Sequence, residues 1–155
     1  MSIPQFREIS EADFAATESA RRLFAHEDAR RFASFSVSNG VGSLAISWRS
    51  DLIEPSIVVD GENPEVIWVA ADDRVAAVNK NGQIVFSIAT TTPLLSLEKF
   101  SGGIVAISEL QAFVINHNCS IKKIVDFPDI PQDYKVSDDR LRVDFAGDSP
   151  MEYPL

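Results

Sequence analysis

Val66-Ile67-Trp68-Val69-Ala70-Ala71-Asp72-Asp73-Arg74-Val75-Ala76-Ala77-Val78-Asn79-Lys80-Asn81-Gly82-Gln83-Ile84-Val85-Phe86-Ser87-Ile88-Ala89 is the stretch from which the fold follows. Short apolar runs rich in Val, Ile and aromatic residues alternate with turns of two or three polar residues, Asp72-Asp73 and Lys80-Asn81-Gly82. The runs are too short for stable helices, and runs of this length bounded by Asp, Asn and Gly are strands. Asn81 and Gly82 tolerate the positive φ that a tight connection between antiparallel strands demands. The spacing predicts strands Val66–Ala71, Arg74–Asn79 and Gln83–Ala89.

Downstream the rhythm continues. Leu94–Phe100 follows Pro93, Ser101-Gly102-Gly103 turns the chain, and Ile104–Ser108, Gln111–Asn116 and Ile121–Phe127 follow, with a turn at His117-Asn118-Cys119. A shift of 37 residues (104 − 67) brings Ile67 onto Ile104, Asn79 onto Asn116, Asn81 onto Asn118 and Ile84 onto Ile121. It also brings Asp72 onto Glu109 and Ala76-Ala77-Val78 onto Phe113-Val114-Ile115. A further step places Leu141 on Ile104 and Val143 on Ala106. Turns and apolar strands fall in phase over about two and a half copies, the signature of a repeated unit that buries its apolar faces against its neighbours.

Upstream the period is also two. Ala33, Phe35 and Val37 alternate with Ser34, Ser36 and Ser38; Asn39-Gly40 is a hairpin dipeptide; Leu44, Ile46 and Trp48 lie on the return strand, with Trp48 in the core. Asp51 to Pro64 is loop around a short strand at Ser56–Asp60. Before the hairpin, Ser10 stands ahead of Glu11-Ala12-Asp13 as an approximate capping box, and Ala12, Ala16, Ala20, Leu23 and Phe24 recur at helical spacing. A helix from Glu11 to His26 is expected, with a further turn at Glu27–Arg31. The chain divides into a helical segment (1–31), a hairpin (32–50), a repeated β-meander (51–146) and a tail (147–155), all within one domain (1–155).

Trp68-Val69, then Val75-Ala76-Ala77-Val78-Asn79, then Asn81-Gly82-Gln83-Ile84-Val85-Phe86 resembles a blade of the quinoprotein- and WD-type β-propellers. In the second copy Cys119 stands where that pattern has Gly, and Lys122-Lys123 replace the aromatic end. The resemblance implies antiparallel sheets arranged as blades. A closed propeller takes four or more blades. The chain has room for two or three, so cofactor binding that depends on a closed ring is not implied. The expected fold is mainly β: an antiparallel meander, curled as a partial propeller, half-barrel or sandwich, with the N-terminal helix covering one open side.

Composition bounds the function. The 155 residues carry 14 Lys+Arg against 23 Asp+Glu, a formal net charge of −9, with one Cys and two His. Lone Cys119 excludes an intramolecular disulfide and fits a reducing compartment. The N-terminus Met1-Ser2-Ile3-Pro4 shows no apolar leader, and the 17-residue uncharged stretch Asn81 to Leu97 (none is longer) is too polar to span a bilayer, so a cytoplasmic protein without membrane association is expected. The charge is unevenly placed: six basic and six acidic residues in 1–50, eight and 17 in 51–155, and a net of −5 in 126–155. That field repels phosphate backbones and argues against nucleic-acid binding.

No constellation carries chemistry. His26 and His117 have no metal-ligand spacing with Cys119 or with each other, so neither a metal nor a cofactor is expected. His117 is expected in a solvated turn and His26 near the helix C-terminus. Asp72-Asp73 and Asp138-Asp139 are expected to be solvated turn formers. Arg21, Arg22, Arg30 and Arg31 lie among Glu18, Glu27 and Asp28 and are expected to pair with them. The resulting reading is a non-enzymatic, acidic protein-binding module. It would engage a basic partner through Asp126, Asp129, Asp133, Asp138 and Asp139, for example as a bacterial immunity protein neutralising a cationic toxin domain. The alternative is a structural β-repeat protein that forms homo-oligomers through apolar edges; an enzyme with an unrecognised site ranks last.

Overall fold

The computed structural model describes residues 3–37, 42–60 and 65–155. The Asn39-Gly40 turn lies outside the described residues, but the strands it joins pair as expected. β1 (Arg7–Glu8), β2 (Arg31–Val37) and β3 (Gly42–Trp48) form the first sheet, with Arg31 opposite Trp48 and Val37 opposite Gly42. β4 (Ser56–Asp60), β5 (Val66–Ala71), β6 (Arg74–Asn79) and β7 (Ile84–Ala89) form the second. β8 (Leu94–Phe100), β9 (Gly103–Ser108), β10 (Gln111–Asn116) and β11 (Ile121–Asp126) form the third; β12 (Pro131–Ser137), β13 (Arg140–Phe145) and β14 (Met151–Pro154) form the fourth. Every strand pair is antiparallel, and the last three sheets run in sequence order, so the fold is a mainly β, partial-propeller meander.

The 37-residue repeat is visible in burial. β5 and β9 are buried at all six positions, β6 and β10 at their four central ones, and β7 and β11 share one alternating pattern. Fully apolar central strands follow from having two seams to fill. On β5, Ile67, Val69 and Ala71 pack toward the first sheet, while Val66, Trp68 and Ala70 pack toward the third. On β9, Ile104 and Ala106 face the second sheet, and Val105 and Ile107 face the fourth. Three core clusters result, one at each seam between successive sheets; among the described residues none joins the first sheet to the fourth.

The turns repeat as well. Asn79 N donates to Gln83 O and Gly82 N to Asn79 O, and in the next copy Asn116 N donates to Ser120 O and Cys119 N to Asn116 O, each at 2.9 Å. Gly82 takes φ +77 and Cys119 takes φ +66 at the same turn position. Cys119 thus occupies a left-handed site that Gly fills without strain.

Three expectations are corrected. The chain makes four sheets rather than two or three, because the N-terminal strands form a sheet of their own and residues 131–154 form another; the tail supplies β14. The helix α1 ends at Ala16 instead of His26. Thr17 takes an extended conformation, and its hydroxyl bonds back to Asp13 O, ending the helix after Ser10 has capped its start. A 3₁₀ turn at Ser19–Arg21 then leads Arg22 to Phe24 alongside β3, where Leu23 N donates to Ala45 O and Phe24 O accepts from Ser47 N. The buried helix residue is Phe14, not the alanines: Ala12 and Ala16 are exposed, whereas the Phe14 ring packs 5.1 Å from that of Phe32, beneath the guanidinium of Arg22. One phenyl ring covers more apolar surface than several methyl groups.

The helix therefore caps the outer side of the first sheet, as expected. The outward side of the fourth sheet is polar: Lys135, Arg142 and Glu152 stand in register across β12, β13 and β14, all exposed.

Candidate interaction surface

Up-and-down strands put the loops at two ends of the arc. Hydrogen bonds between sheets fix which loops share an end. At the first end, the Asp72 carboxylate accepts from Arg49 N (2.6 Å) and Ser50 N (3.1 Å) of the first sheet, and its carbonyl accepts from Leu94 N (2.6 Å) of the third. Asp72 is 8% exposed and holds φ +49, so the expected solvated turn former is a buried staple across three sheets. His26 stands beside it with a side chain 4% exposed. Its Nδ1 lies 2.6 Å from Ser47 O and its Nε2 lies 3.2 Å from Asp73 Oδ1. It sits in a loop, not at a helix terminus.

At the other end, Asp60, 4% exposed, lies 2.6 Å from His117 Nδ1, and His117 Nε2 lies 2.7 Å from Ser101 O. Ser101 in turn donates from its amide and hydroxyl to Asp139 (3.1 and 2.7 Å). This chain of contacts ties the second, third and fourth sheets. His117 is half-buried and engaged, a correction to the expected solvated turn. The hydroxyl and amide of Ser101 hold the Asp139 carboxyl below its ordinary range, with a smaller contribution from Lys122.

Loop ends, rather than a sheet face, sort the charge. The loops sharing an end with Asp72 carry Glu27, Asp28, Asp51, Glu54, Asp72, Asp73, Glu109, Asp129 and Asp148 against Arg30 and Arg49. The loops at the opposite end carry Glu65, Asp138 and Asp139 against Lys80 among the described residues. Some of the acids are internally committed: Glu54 and Glu8 both pair with Arg31 at 2.5 Å, and the Arg31 guanidinium lies 4.9 Å over the Trp48 ring. Asp28, Asp51, Asp129 and Asp148 are exposed. A groove of about 500 Å³ opens at this end between Asp28, Arg30, Arg49 and Asp73. Leu52 (95% exposed), Ile130 (50%) and Leu110 (42%) project from the same loops.

The five sequence-predicted carboxylates do not converge. Asp126, which accepts from Gln111 Nε2, and Asp129 lie at the acidic end. Asp133 lies near it on β12. Asp138 and Asp139 turn the chain at the opposite end, about 20 Å away along β12. Asp28, from the segment whose charge balances to zero, and Asp51, just beyond it, also emerge at the acidic end; their placement depends on the stapling of the first sheet to the second.

His117 and Cys119 do not form an activated nucleophile pair. Both nitrogens of His117 face acceptors, and burial, then the charge of Asp60, pushes the Cys119 thiol up, the opposite of an activated thiolate. Among the described residues no group of three or more His, Cys, Asp or Glu is placed to hold a metal ion, and no helix is long and apolar enough to cross a membrane.

No family model and no curated protein sequence matches the chain. Solved structures do. The WD40 β-propeller domain of Doa1 superposes with a TM-score of 0.52 at 14% identity, over 86% of this chain and 50% of that one. The Neurospora crassa Pan2 WD40 domain gives 0.44 at 18% identity, over 80% and 41%. A Bacteroides caccae protein of unknown function gives 0.38 at 11% identity, over 86% and 60%. The chain thus spans about half the length of the Doa1 domain, and what it shares with it is the fold: successive up-and-down sheets stacked as the blades of a propeller.

Proposed function

We propose that this chain is a protein-binding module that receives a basic partner on its acidic loop end. The observation that carries this reading is the sorting of charge: with the adjoining strand ends included, ten acids (the nine of the loops and Asp126) against Arg30, Arg31, Arg49 and Arg74 at one end, with Leu52, Leu110 and Ile130 exposed among them. Exposed aliphatic side chains supply the desolvated centre of an interface, and a surrounding field of one sign speeds encounter and rejects like-charged competitors. The working residues are Asp126 and Asp129, with Asp28 and Asp51 beside the groove. The specific form we favour is an immunity protein for a cationic toxin domain such as a nuclease, since capture of a basic protein by an acidic surface requires no catalytic group.

The test mixes the purified protein with the product of the adjoining gene and resolves the mixture by gel filtration. A stable complex that weakens at least tenfold when Asp28→Asn, Asp51→Asn and Asp129→Asn are combined is the expected result. Absence of a complex counts against the immunity reading; a complex indifferent to the three changes counts against the acidic end. Oligomerisation through apolar end faces has less support, because α1 covers one end face and Lys135, Arg142 and Glu152 occupy the other.

A further inference from the structure

The outermost strand of each sheet presents a backbone edge, and unprotected edges recruit other strands. Three of the four are blunted here, each by a different device. The edge of β3 is covered by Arg22 to Phe24 through the bonds to Ala45 and Ser47. The edge strand β11 carries Lys122, Lys123 and Asp126. The edge strand β14 carries Glu152 and Pro154, and the Lys123 ammonium reaches the Pro154 carbonyl. β7 has none of these. At the positions of Lys122, Lys123 and Asp126 it places Val85, Phe86 and Ala89, 37 residues earlier. It lies within an uncharged stretch of 17 residues, Asn81 to Leu97, and Ile84 and Val85 are 56% and 43% exposed. Among the described residues its outer edge has no strand partner.

We propose that β7 is a homodimerisation edge, pairing antiparallel with β7 of a second copy to join two four-stranded sheets into one of eight. Two features select a second copy over a foreign strand. The first is self-complementarity: an uncharged strand pairing with itself about a twofold axis puts no like charges opposite one another. The second is the charge map. β7 runs from the Lys80 end, the less acidic of the two, to the acidic end, so antiparallel pairing sets the acidic loops of each copy beside the less charged end of the other and not beside its like. The two acidic ends then point in opposite directions, which keeps apart the surfaces that would otherwise hold two chains of net charge −9 at a distance. The contact consumes one edge per molecule and therefore closes at two.

Sedimentation velocity over a concentration series at physiological salt tests this. The expected result is a reversible dimer of twice 17.0 kDa. Val85→Lys, and independently Ser87→Lys, should weaken it at least tenfold with unchanged circular dichroism, while Met151→Lys on β14 should leave it intact. Backbone amides of β7 should exchange more slowly at high concentration than at low. A monomer at every concentration up to the millimolar range, assembly that grows past the dimer, a dimer that survives both lysine substitutions, or β7 amides indifferent to concentration would each overturn the proposal.

Discussion

Leu141→Ala probes the seam architecture where it is thinnest. The fourth sheet is buried on one side only, and Leu141, fully buried, sits in the cluster with Val105, Ile107, Val143 and Phe145 that joins it to the third sheet. Truncation removes three carbons, about 2.4 kcal/mol at ~0.8 kcal/mol each. A residual cavity adds roughly 1 kcal/mol, for a loss of about 3.5 kcal/mol, within the range found for buried Leu→Ala changes. The loss should be local first. Stacked units owe their stability to nearest-neighbour interfaces, so the end sheet should open before the rest. Native-state hydrogen exchange should show amides of β12 and β13 losing roughly 300-fold in protection, at ~1.4 kcal/mol per tenfold, while β5 and β6 keep theirs. Equal loss of protection in all four sheets, or a total below about 1 kcal/mol, would refute a fold built of seams between successive sheets.

Other outcomes follow from single residues. Gly103→Ala should cost at least about 2 kcal/mol in urea unfolding, since a Cβ there would lie 2.0 Å from Ile115 O at φ +152; Gly147→Ala, at φ +75 with open space, should cost about 1 kcal/mol. The Asp139 carboxyl is depressed in the folded protein, so its link to Ser101 contributes above the ordinary value of 3.8 and is lost as pH falls through the lower folded value. Carboxyl titration by NMR should show Asp139 rising toward 3.8 in Ser101→Ala, and no change would contradict the bond. Cys119, its thiol raised above 9.0 by burial and by Asp60, should alkylate at pH 8 more slowly than an unstructured cysteine peptide; faster labelling would contradict its placement.

Strand positions were legible because period and turn chemistry agree along the repeat: Asn79 and Asn116 mark turns whose internal bonds are nearly superimposable, and the expected bounds of β5, β6, β8 and β10 match the structure. The left-handed site at Cys119 was also legible, from its alignment with Gly82. What escaped depends on distant partners. His117 finds Asp60, 57 positions away, and Asp72 finds Arg49 and Ser50, more than 20 away, so nothing near either residue signals its burial. The helix was overextended because alanine spacing fits several conformations, while pairing of Leu23 and Phe24 beside β3 outweighs helix propensity. The fourth sheet was under-read because β12, with Gln132, Asp133, Lys135 and Ser137 exposed, has too little apolar sequence to announce a strand. The sorting of the carboxylates between the two ends was not legible either, because charge counted along the chain does not say at which end of a strand it emerges.

The most direct test of the acidic loop end is the association rate with the product of the adjoining gene, measured by stopped flow at low and physiological salt. For the native chain the rate should fall steeply with salt. Combined Asp28→Asn, Asp51→Asn and Asp129→Asn should slow association at least tenfold and flatten the salt dependence, while Asp138→Asn with Glu65→Gln at the opposite end should change neither. Equal effects from the two sets, or a rate that neither set alters, would contradict the assignment of the working surface to that end.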